Sequence, residues 1–116
     1  MIVDDNARMR KMIVKVLQDQ LRGTMTFHEY ANGAESVKRY PALQPDWVIM
    51  DVRLQGFDGV SATREILRNH PGAKIIILSH FNESEYRQAA NDVGARASFA
   101  KDDLGGLVHF MQNASN

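Results

Sequence analysis

Three carboxylates, one hydroxyl and one ammonium group follow or end short apolar runs of this sequence. In chain order they belong to Asp4, Asp5, Asp51, Ser79 and Lys101. Carboxylates that lie close together raise one another's pKa, so three of them stay ionised only around a cation. The chain has no cysteine, and its four histidines lack the spacing of a metal site, so a hard cation such as Mg²⁺ fits best. Beside that charge Asp51 can act as a nucleophile toward a phosphoryl group, whose oxygens the lysine and the serine can bind.

The pattern of apolar residues predicts that these groups meet at one edge of a β-sheet. Strand-like apolar segments cover residues 1–3, 25–30, 47–52, 73–79 and 97–100. Helical spacing recurs at residues 9–21, 34–40, 60–67, 86–93 and 104–111, with stop signals at Gly23, Pro41, Pro71-Gly72 and Gly94. Alternating strands and helices indicate a parallel sheet with helices on both faces. In such a sheet ligands bind beyond the carboxyl ends of the strands, where these groups lie.

Composition and length limit the class of protein. The chain has 116 residues, of which 44% are hydrophobic and 24% charged, as in one globular domain covering residues 1–116. Its apolar runs are far shorter than the roughly 18 residues of a membrane span, and the N-terminus does not resemble a signal peptide. The formal net charge is zero, so direct nucleic-acid binding is not expected. The absence of cysteine fits a reducing compartment, and we expect a cytoplasmic protein with no membrane partner.

Four motifs resemble those of the receiver domain of two-component response regulators. They are IVDDN, PDWVIMDVRLQGFDG, IIILS and GARASFAKDDL, and they span almost the whole chain. Each motif alone is weak, whereas four in order at the predicted strand ends are specific. The resemblance implies a flavodoxin-like fold with strand order 2-1-3-4-5. It also implies Mg²⁺-dependent phosphorylation of Asp51 by a sensor histidine kinase or phosphotransfer protein, with Ser79 as the switch hydroxyl and Lys101 as the phosphoryl-binding cation.

The resemblance also assigns the metal ligands. Asp5, Asp51 and the backbone carbonyl of Arg53 would bind Mg²⁺, with Asp4 acting mainly through water. Taken alone, the first acidic pair would be interpreted as helix-capping residues, because aspartate is a good N-cap. Asp58 precedes a glycine and is interpreted as a turn and cap residue rather than a ligand.

Three positions depart from the family pattern. Gln55 stands where the family often has proline, which loosens the loop after the acceptor. His80 stands where a small residue usually follows the switch hydroxyl, and its imidazole either narrows access to the site or contacts the phosphoryl group. Ser98 stands where the switch aromatic usually lies, and Phe99 should point to the opposite face of its strand. We therefore single out His80, Ser98 and Arg53, which lies beside the acceptor, as modulators of the switch.

The sequence leaves two other functions open. The first is a degenerate receiver that is not phosphorylated and serves only as a protein-binding module. Ser98, at the position of the usual switch aromatic, is the reason to consider it. The second is a small phosphatase with an aspartyl nucleophile. Such enzymes usually carry a second acid two residues after the nucleophile, and Arg53 at that position argues against this alternative.

The first strand and the output of the domain are further expectations. Residues 1–3 are short for a central strand, so we expect a trimmed first strand or residues missing upstream. No output domain follows, and an excised receiver that controls a DNA-binding domain is one interpretation. The readout surface would be the fourth helix, fifth strand and fifth helix, and homodimer formation is left open. Met9 and Met12 are expected in the core, because they lie at helical spacing.

Overall fold

A five-stranded parallel sheet runs through the middle of the molecule. The computed structural model describes residues 1–54, 57–80 and 84–114. The strands are β1 (Ile2–Val3), β2 (Glu29–Tyr30), β3 (Val48–Asp51), β4 (Ile75–Ser79) and β5 (Ala97–Ala100). The helices are α1 (Ala7–Gln20), α2 (Gly33–Leu43), α3 (Gly59–Asn69), α4 (Ser84–Val93) and α5 (Leu104–Ala114). The strand order is β2-β1-β3-β4-β5, which confirms the predicted flavodoxin-like fold.

The sheet is buried on both faces because its central strands are apolar along most of their length. In β4, Ile75 and Ile77 pack under α2, α3 and α4, whereas Ile76 and Leu78 pack under α1 and α5. All four side chains are at most 1% exposed. Burial of each such side chain contributes about 1.5–3 kcal/mol. Because a slip of one residue would exchange the two faces, this packing fixes the register of β4 and hence the position of its end.

Strand β2 is much shorter than the predicted segment 25–30. It pairs with β1 through Ile2 with Glu29 and Val3 with Tyr30, and the ladder stops there. The partner strand supplies only these two residues, in agreement with the expectation of a short first strand. Alternating residues earlier in the segment still turn inward, since Met25 and Phe27 pack against the core under α1 and α5. The alternation therefore indicated burial correctly but overestimated the hydrogen-bonded strand.

Helix α2 continues through Pro41 to Leu43, so the prediction that this proline ends the helix is wrong. Proline removes one backbone donor, but its fixed φ suits a helix. The preceding Tyr40 is buried in the core and holds this turn against the sheet. The helix ends at Gln44, whose φ of 40° is left-handed and whose N–H donates to the carbonyl of Tyr40. Gly94 ends α4 with a φ of 97°, as predicted.

Met12 is exposed, so its predicted place in the core is wrong. Its exposed fraction is 53%, whereas Ile13 and Leu17 on the same helix are almost fully buried. Met9 packs only partly against the core under α1 and α5. The apolar stripe of α1 is wider than the surface it covers, so Met12 lies at the edge of that stripe.

Gly59 lies where α3 starts against the end of β3. A Cβ atom at this position would overlap the carbonyl oxygen of Asp51 and press on the backbone of Val52. The N–H of Gly59 donates to the carbonyl of Val52 at 3.1 Å, which holds the two segments together. Asp58 caps the helix by accepting from the N–H of Ser61, as predicted. A glycine is therefore needed to bring α3 this close to the end of β3.

We expect Gly59→Ala to destabilise the protein by about 1–3 kcal/mol, because the backbone must shift to admit the methyl group. The matched control is Gly105→Ala in α5, where nothing lies near the added Cβ. That control should be neutral or stabilise by up to about 1 kcal/mol, through helix propensity. Urea unfolding monitored by circular dichroism measures both. Equal stability of Gly59→Ala and the unmodified protein would contradict the close-approach argument.

Candidate functional site

Lys101 lies between two buried carboxylates. Its Nζ atom is 3.1 Å from Oδ2 of Asp4 and 3.2 Å from Oδ2 of Asp51. These carboxylates are 1% and 3% exposed, whereas Asp5 is exposed. One oxygen from each of the three aspartates lies within 4.8 Å of the others. The parallel order of β1 and β3 explains this cluster, because their carboxyl ends lie side by side.

Backbone hydrogen bonds position Asp51 at the end of β3. Its Oδ1 accepts from the N–H of Arg53 at 3.2 Å, which turns the chain just after the strand. The N–H of Val52 donates to the carbonyl of Leu78 at 2.9 Å, so β4 supports the same turn. The carboxylate therefore sits on the sheet itself rather than on a free loop.

A second set of contacts positions Asp4. Its Oδ1 accepts from the N–H of Asn6 at 2.8 Å, and its backbone carbonyl accepts from Arg10 at 2.6 Å. Arg10 also bonds Glu29 of β2 at 3.2 Å. The side chain of Asn6 caps α1, so the alternative in which the acidic pair would serve as helix caps does not hold. The role of Arg10 in holding Asp4 was not predicted from the sequence, because the spacing of residues along α1 does not reveal a contact with β2.

Ser79 and Lys101 are joined through the backbone. The N–H of Lys101 donates to the carbonyl of Ser79 at 2.7 Å, which places the end of β5 beside the end of β4. Ser79 is buried, and the following His80 is exposed. The structure thus brings the strand-end serine and lysine to the same edge of the sheet as the carboxylates.

An open cavity of about 630 Å³ surrounds the cluster. Its lining residues come from the ends of the strands and from α1, and they are Asp5, Asn6, Met9, Met12, Asp51, Arg53, His80, Lys101 and Asp102. Met12 and Asp102 were not predicted at the site. The exposure of Met12 is explained by this position, since it borders the cavity. His80 is among these lining residues, and its effect on access to the site stays a prediction.

The charges of the cluster are not balanced. Burial and the charge of Asp4 raise the pKa of Asp51 to about 6, although Lys101 and the N–H of Arg53 act in the opposite direction. Burial lowers the pKa of Lys101, but the neighbouring carboxylates outweigh it and raise that pKa above its ordinary value. One ammonium group thus fails to compensate two buried carboxylates and a third close by.

The residues present fit a hard divalent cation. Three carboxylates offer only oxygen ligands, which is the donor set that Mg²⁺ prefers. Oδ2 of Asp4 is buried, and within residues 1–54, 57–80 and 84–114 the contact found for it is the ion pair with Lys101. The raised pKa of Asp51 reports the same shortage of positive charge. Of the three aspartates Asp5 is the one exposed to solvent.

A family model of the response regulator receiver domain matches residues 1–110. This chain belongs to that family. It is 32% identical to response regulator GacA of Pseudomonas viridiflava over 97% of this chain and 51% of that protein. It is 35% identical to chemotaxis protein CheY of Thermotoga maritima over 87% of this chain and 82% of that one. The crystal structure of a two-component response regulator of the LuxR family from an Aurantimonas species superposes with a TM-score of 0.87 at 30% identity. The match covers 98% of this chain and 81% of that chain.

Membership in the family has consequences for the class of function. Receiver domains are regulatory domains of phosphorylation-based signalling, and they interact with histidine kinases and phosphotransfer proteins. They generally bind Mg²⁺ at an acidic pocket, and this receiver has an aspartate cluster of that kind. The chain spans about half the length of the GacA relatives it matches. No helix of the described residues is long and apolar enough to cross a membrane.

Ser98 of β5 stands at the position where the resemblance to the family places an aromatic residue. Ser98 pairs with Ile77, whose side chain lies in the core under α2, α3 and α4. Phe99 packs on the opposite face, where its ring centre is 5.9 Å from that of Phe110 in α5. The prediction that Phe99 points away from the Ser98 face is therefore confirmed. The remaining departure, Gln55, lies outside the described residues.

In the metal-free receiver we expect Asp51→Asn to gain stability over the unmodified protein as pH rises. The pKa of Asp51 is raised from 3.8 to about 6 on folding. The folded form therefore binds the extra proton, and the stability from this group is present below pH 4 and lost as pH rises through 6. The advantage of the variant should grow by about 2–3 kcal/mol between pH 4 and pH 7.

Urea unfolding with a chelator at each pH measures this difference. Asp19→Asn, an exposed position on α1, is the matched control and should show no such trend. An advantage of Asp51→Asn that stays constant from pH 4 to pH 7 would show that Asp51 ionises normally in the folded protein.

Proposed function

We propose that this chain is a phosphorylation-dependent signalling switch in which Asp51 accepts a phosphoryl group from a sensor histidine kinase or phosphotransfer protein. The observation that carries this proposal is the contact of Lys101 with both Asp51 and Asp4, at 3.2 and 3.1 Å. An acceptor carboxylate held at a strand end, beside a cation and further carboxylates, has the groups that phosphoryl transfer needs. Membership in the receiver family supports the same role.

In this proposal Asp51 supplies the nucleophile. A carboxylate oxygen attacks phosphorus in line with the phosphorus–nitrogen bond of a phosphohistidine. The new phosphorus–oxygen bond forms as the phosphorus–nitrogen bond breaks, and the imidazole leaves with its electron pair and takes a proton from water. Lys101 binds one phosphoryl oxygen of the product, and the hydroxyl of Ser79 donates to another.

Asp5, Asp51 and the backbone carbonyl of Arg53 would hold Mg²⁺ in this proposal. When bound, the ion supplies positive charge that offsets the carboxylates and the oxygens of an incoming phosphoryl group. Asp4 would act mainly through a water molecule. Its Oδ1 already accepts from the backbone of Asn6, and its Oδ2 contacts Lys101, which favours an indirect role.

The output of the switch is a change of protein-binding surface. Phosphorylation adds charge at the strand ends and shifts the population of a second arrangement of α4, β5 and α5. We place residues 1–116 in one receiver domain that works in the cytoplasm, and homodimers formed through this surface are one form of output. A DNA-binding output domain outside this chain is the other form of output that we propose.

Two observations favour a second candidate function. Ser98 stands at the position of the usual β5 aromatic, and the exposed His80 lines the cavity that a phosphodonor must enter. A degenerate receiver that binds a partner without being phosphorylated would tolerate both changes. Such a protein would keep the fold but would not react with a phosphodonor.

Incubation with Mg²⁺ and a small acyl phosphate, followed by intact-mass measurement, separates the two functions. We expect a gain of one phosphoryl mass that is lost in Asp51→Ala and after chelation of the metal, because both remove part of the acceptor site. Asp19→Asn, far from the site, should react like the unmodified protein. Absence of the gain under every condition, including with His80→Ala, would overturn the switch and favour the binding module.

His80 should slow the reaction with small donors. We expect His80→Ala to react up to about tenfold faster, equivalent to about 1.4 kcal/mol in the barrier, because the imidazole borders the cavity. His70→Ala is the comparison, since that histidine follows the C-terminus of α3 and its ring packs at a tilt against Tyr40. Equal rates for His80→Ala and the unmodified protein would remove the gating role.

A further inference from the structure

We propose that Arg53 and Tyr86 couple the acceptor site to α4, so that the aromatic ring of this switch is supplied by α4 and not by β5. The inference rests on the proposed function, because it concerns how occupation of Asp51 reaches the surface. The guanidinium carbon of Arg53 lies 5.6 Å from the centre of the Tyr86 ring. That distance is within the range of about 6 Å over which a cation is attracted to an aromatic face.

Arg53 is joined to the acceptor at its other end. Its backbone N–H donates to Oδ1 of Asp51 at 3.2 Å. A change in charge or bonding at Asp51 therefore acts on the backbone of Arg53, and through its side chain on α4. The residue spans the distance between acceptor and helix with covalent bonds, so no other side chain is needed in between.

Tyr86 occupies the face of the sheet on which β5 has no ring. It is partly buried and packs against the core cluster that contains Ile77. Ser98 pairs with Ile77 and so faces the same side. On that side β5 contributes the small side chains of Ser98 and Ala100, whereas Phe99 packs in the opposite core. Tyr86 is thus an aromatic side chain on this face that also contacts a residue bonded to Asp51.

The surroundings of the contact leave room for movement. A shallow groove of about 750 Å³ lies between α3 and α4, and Arg53, Tyr86 and Arg64 are among its lining residues. Side chains bordering an open groove can change partners without repacking the core. The Arg53–Tyr86 contact can accordingly form or break as the acceptor is occupied.

Amide hydrogen exchange in α4 tests the coupling, with Mg²⁺ alone and with Mg²⁺ plus beryllofluoride as the phosphoryl analogue. In the unmodified protein, binding of the analogue should change the amide exchange rates of α4. Tyr86→Leu removes the ring but keeps an apolar side chain. The change in α4 exchange caused by the analogue should then be about two- to fivefold smaller, the factor that corresponds to the loss of one exposed cation–π contact. Tyr86→Phe keeps the ring and should restore the response. Arg64→Gln, in the same groove, is the control and should respond normally.

Comparing the response to the analogue, and not the exchange rate itself, separates coupling from simple stabilisation of α4. Substitution is made at Tyr86 because Arg53 has other interactions. A full response in Tyr86→Leu, in a protein that gains a phosphoryl mass, would overturn this inference and leave the proposed function intact. Equal losses in Tyr86→Leu and Tyr86→Phe would also overturn it. An unmodified protein that gains no phosphoryl mass would overturn the proposed function instead.

Discussion

The contacts of Lys101 with Asp4 and Asp51 are the interaction on which the site depends. At an effective dielectric constant of about 20, each ion pair of Lys101 with a carboxylate contributes about 5 kcal/mol of attraction. Two carboxylates at the largest separation within the aspartate cluster repel each other by about 3 kcal/mol. Burial costs several further kcal/mol for each ion. One ammonium group cannot balance these terms, which is why the pKa of Asp51 is raised. The folded protein thus maintains a local shortage of positive charge, and a site in that condition has affinity for a divalent cation.

Such a shortage is tolerated only because the surrounding frame is rigid. The isoleucines of β4 anchor its end from both faces of the sheet, and Gly59 lets α3 start against the backbone of Asp51. Arg10 ties the end of β1 to β2. Each carboxylate is therefore held by backbone and core packing, so relaxation away from its neighbours would disrupt the sheet. The same packing both stabilises the fold and keeps the carboxylates of the site close together despite their repulsion.

The fold and the centre of the site could be predicted from the sequence, because each depends on a local signal. Apolar runs mark strands, and the parallel order sends their carboxyl ends, with Asp51 and Lys101, to one edge. Contacts that depend on the shape of the assembled sheet carry no such signal. Met12 has core-like spacing but lies beyond the covered part of α1. Arg10 and Tyr86 act through neighbours distant in sequence, which no periodicity reveals.

The strength of the contacts limits how the proposed switch can work. A cation–π contact at a partly exposed position is worth about 0.5–1 kcal/mol, which changes a two-state ratio by about two- to fivefold. Moving a population from 1:99 to 99:1 needs about 5.5 kcal/mol. Arg53 and Tyr86 can therefore direct the response toward α4, but most of the free energy must come from the change of charge at Asp51. Because Lys101 contacts Asp51 and Asp4 together, that change redistributes the largest electrostatic terms of the site. A receiver with Ser98 at the position of the usual β5 aromatic can thus keep its driving force and differ only in where the response appears.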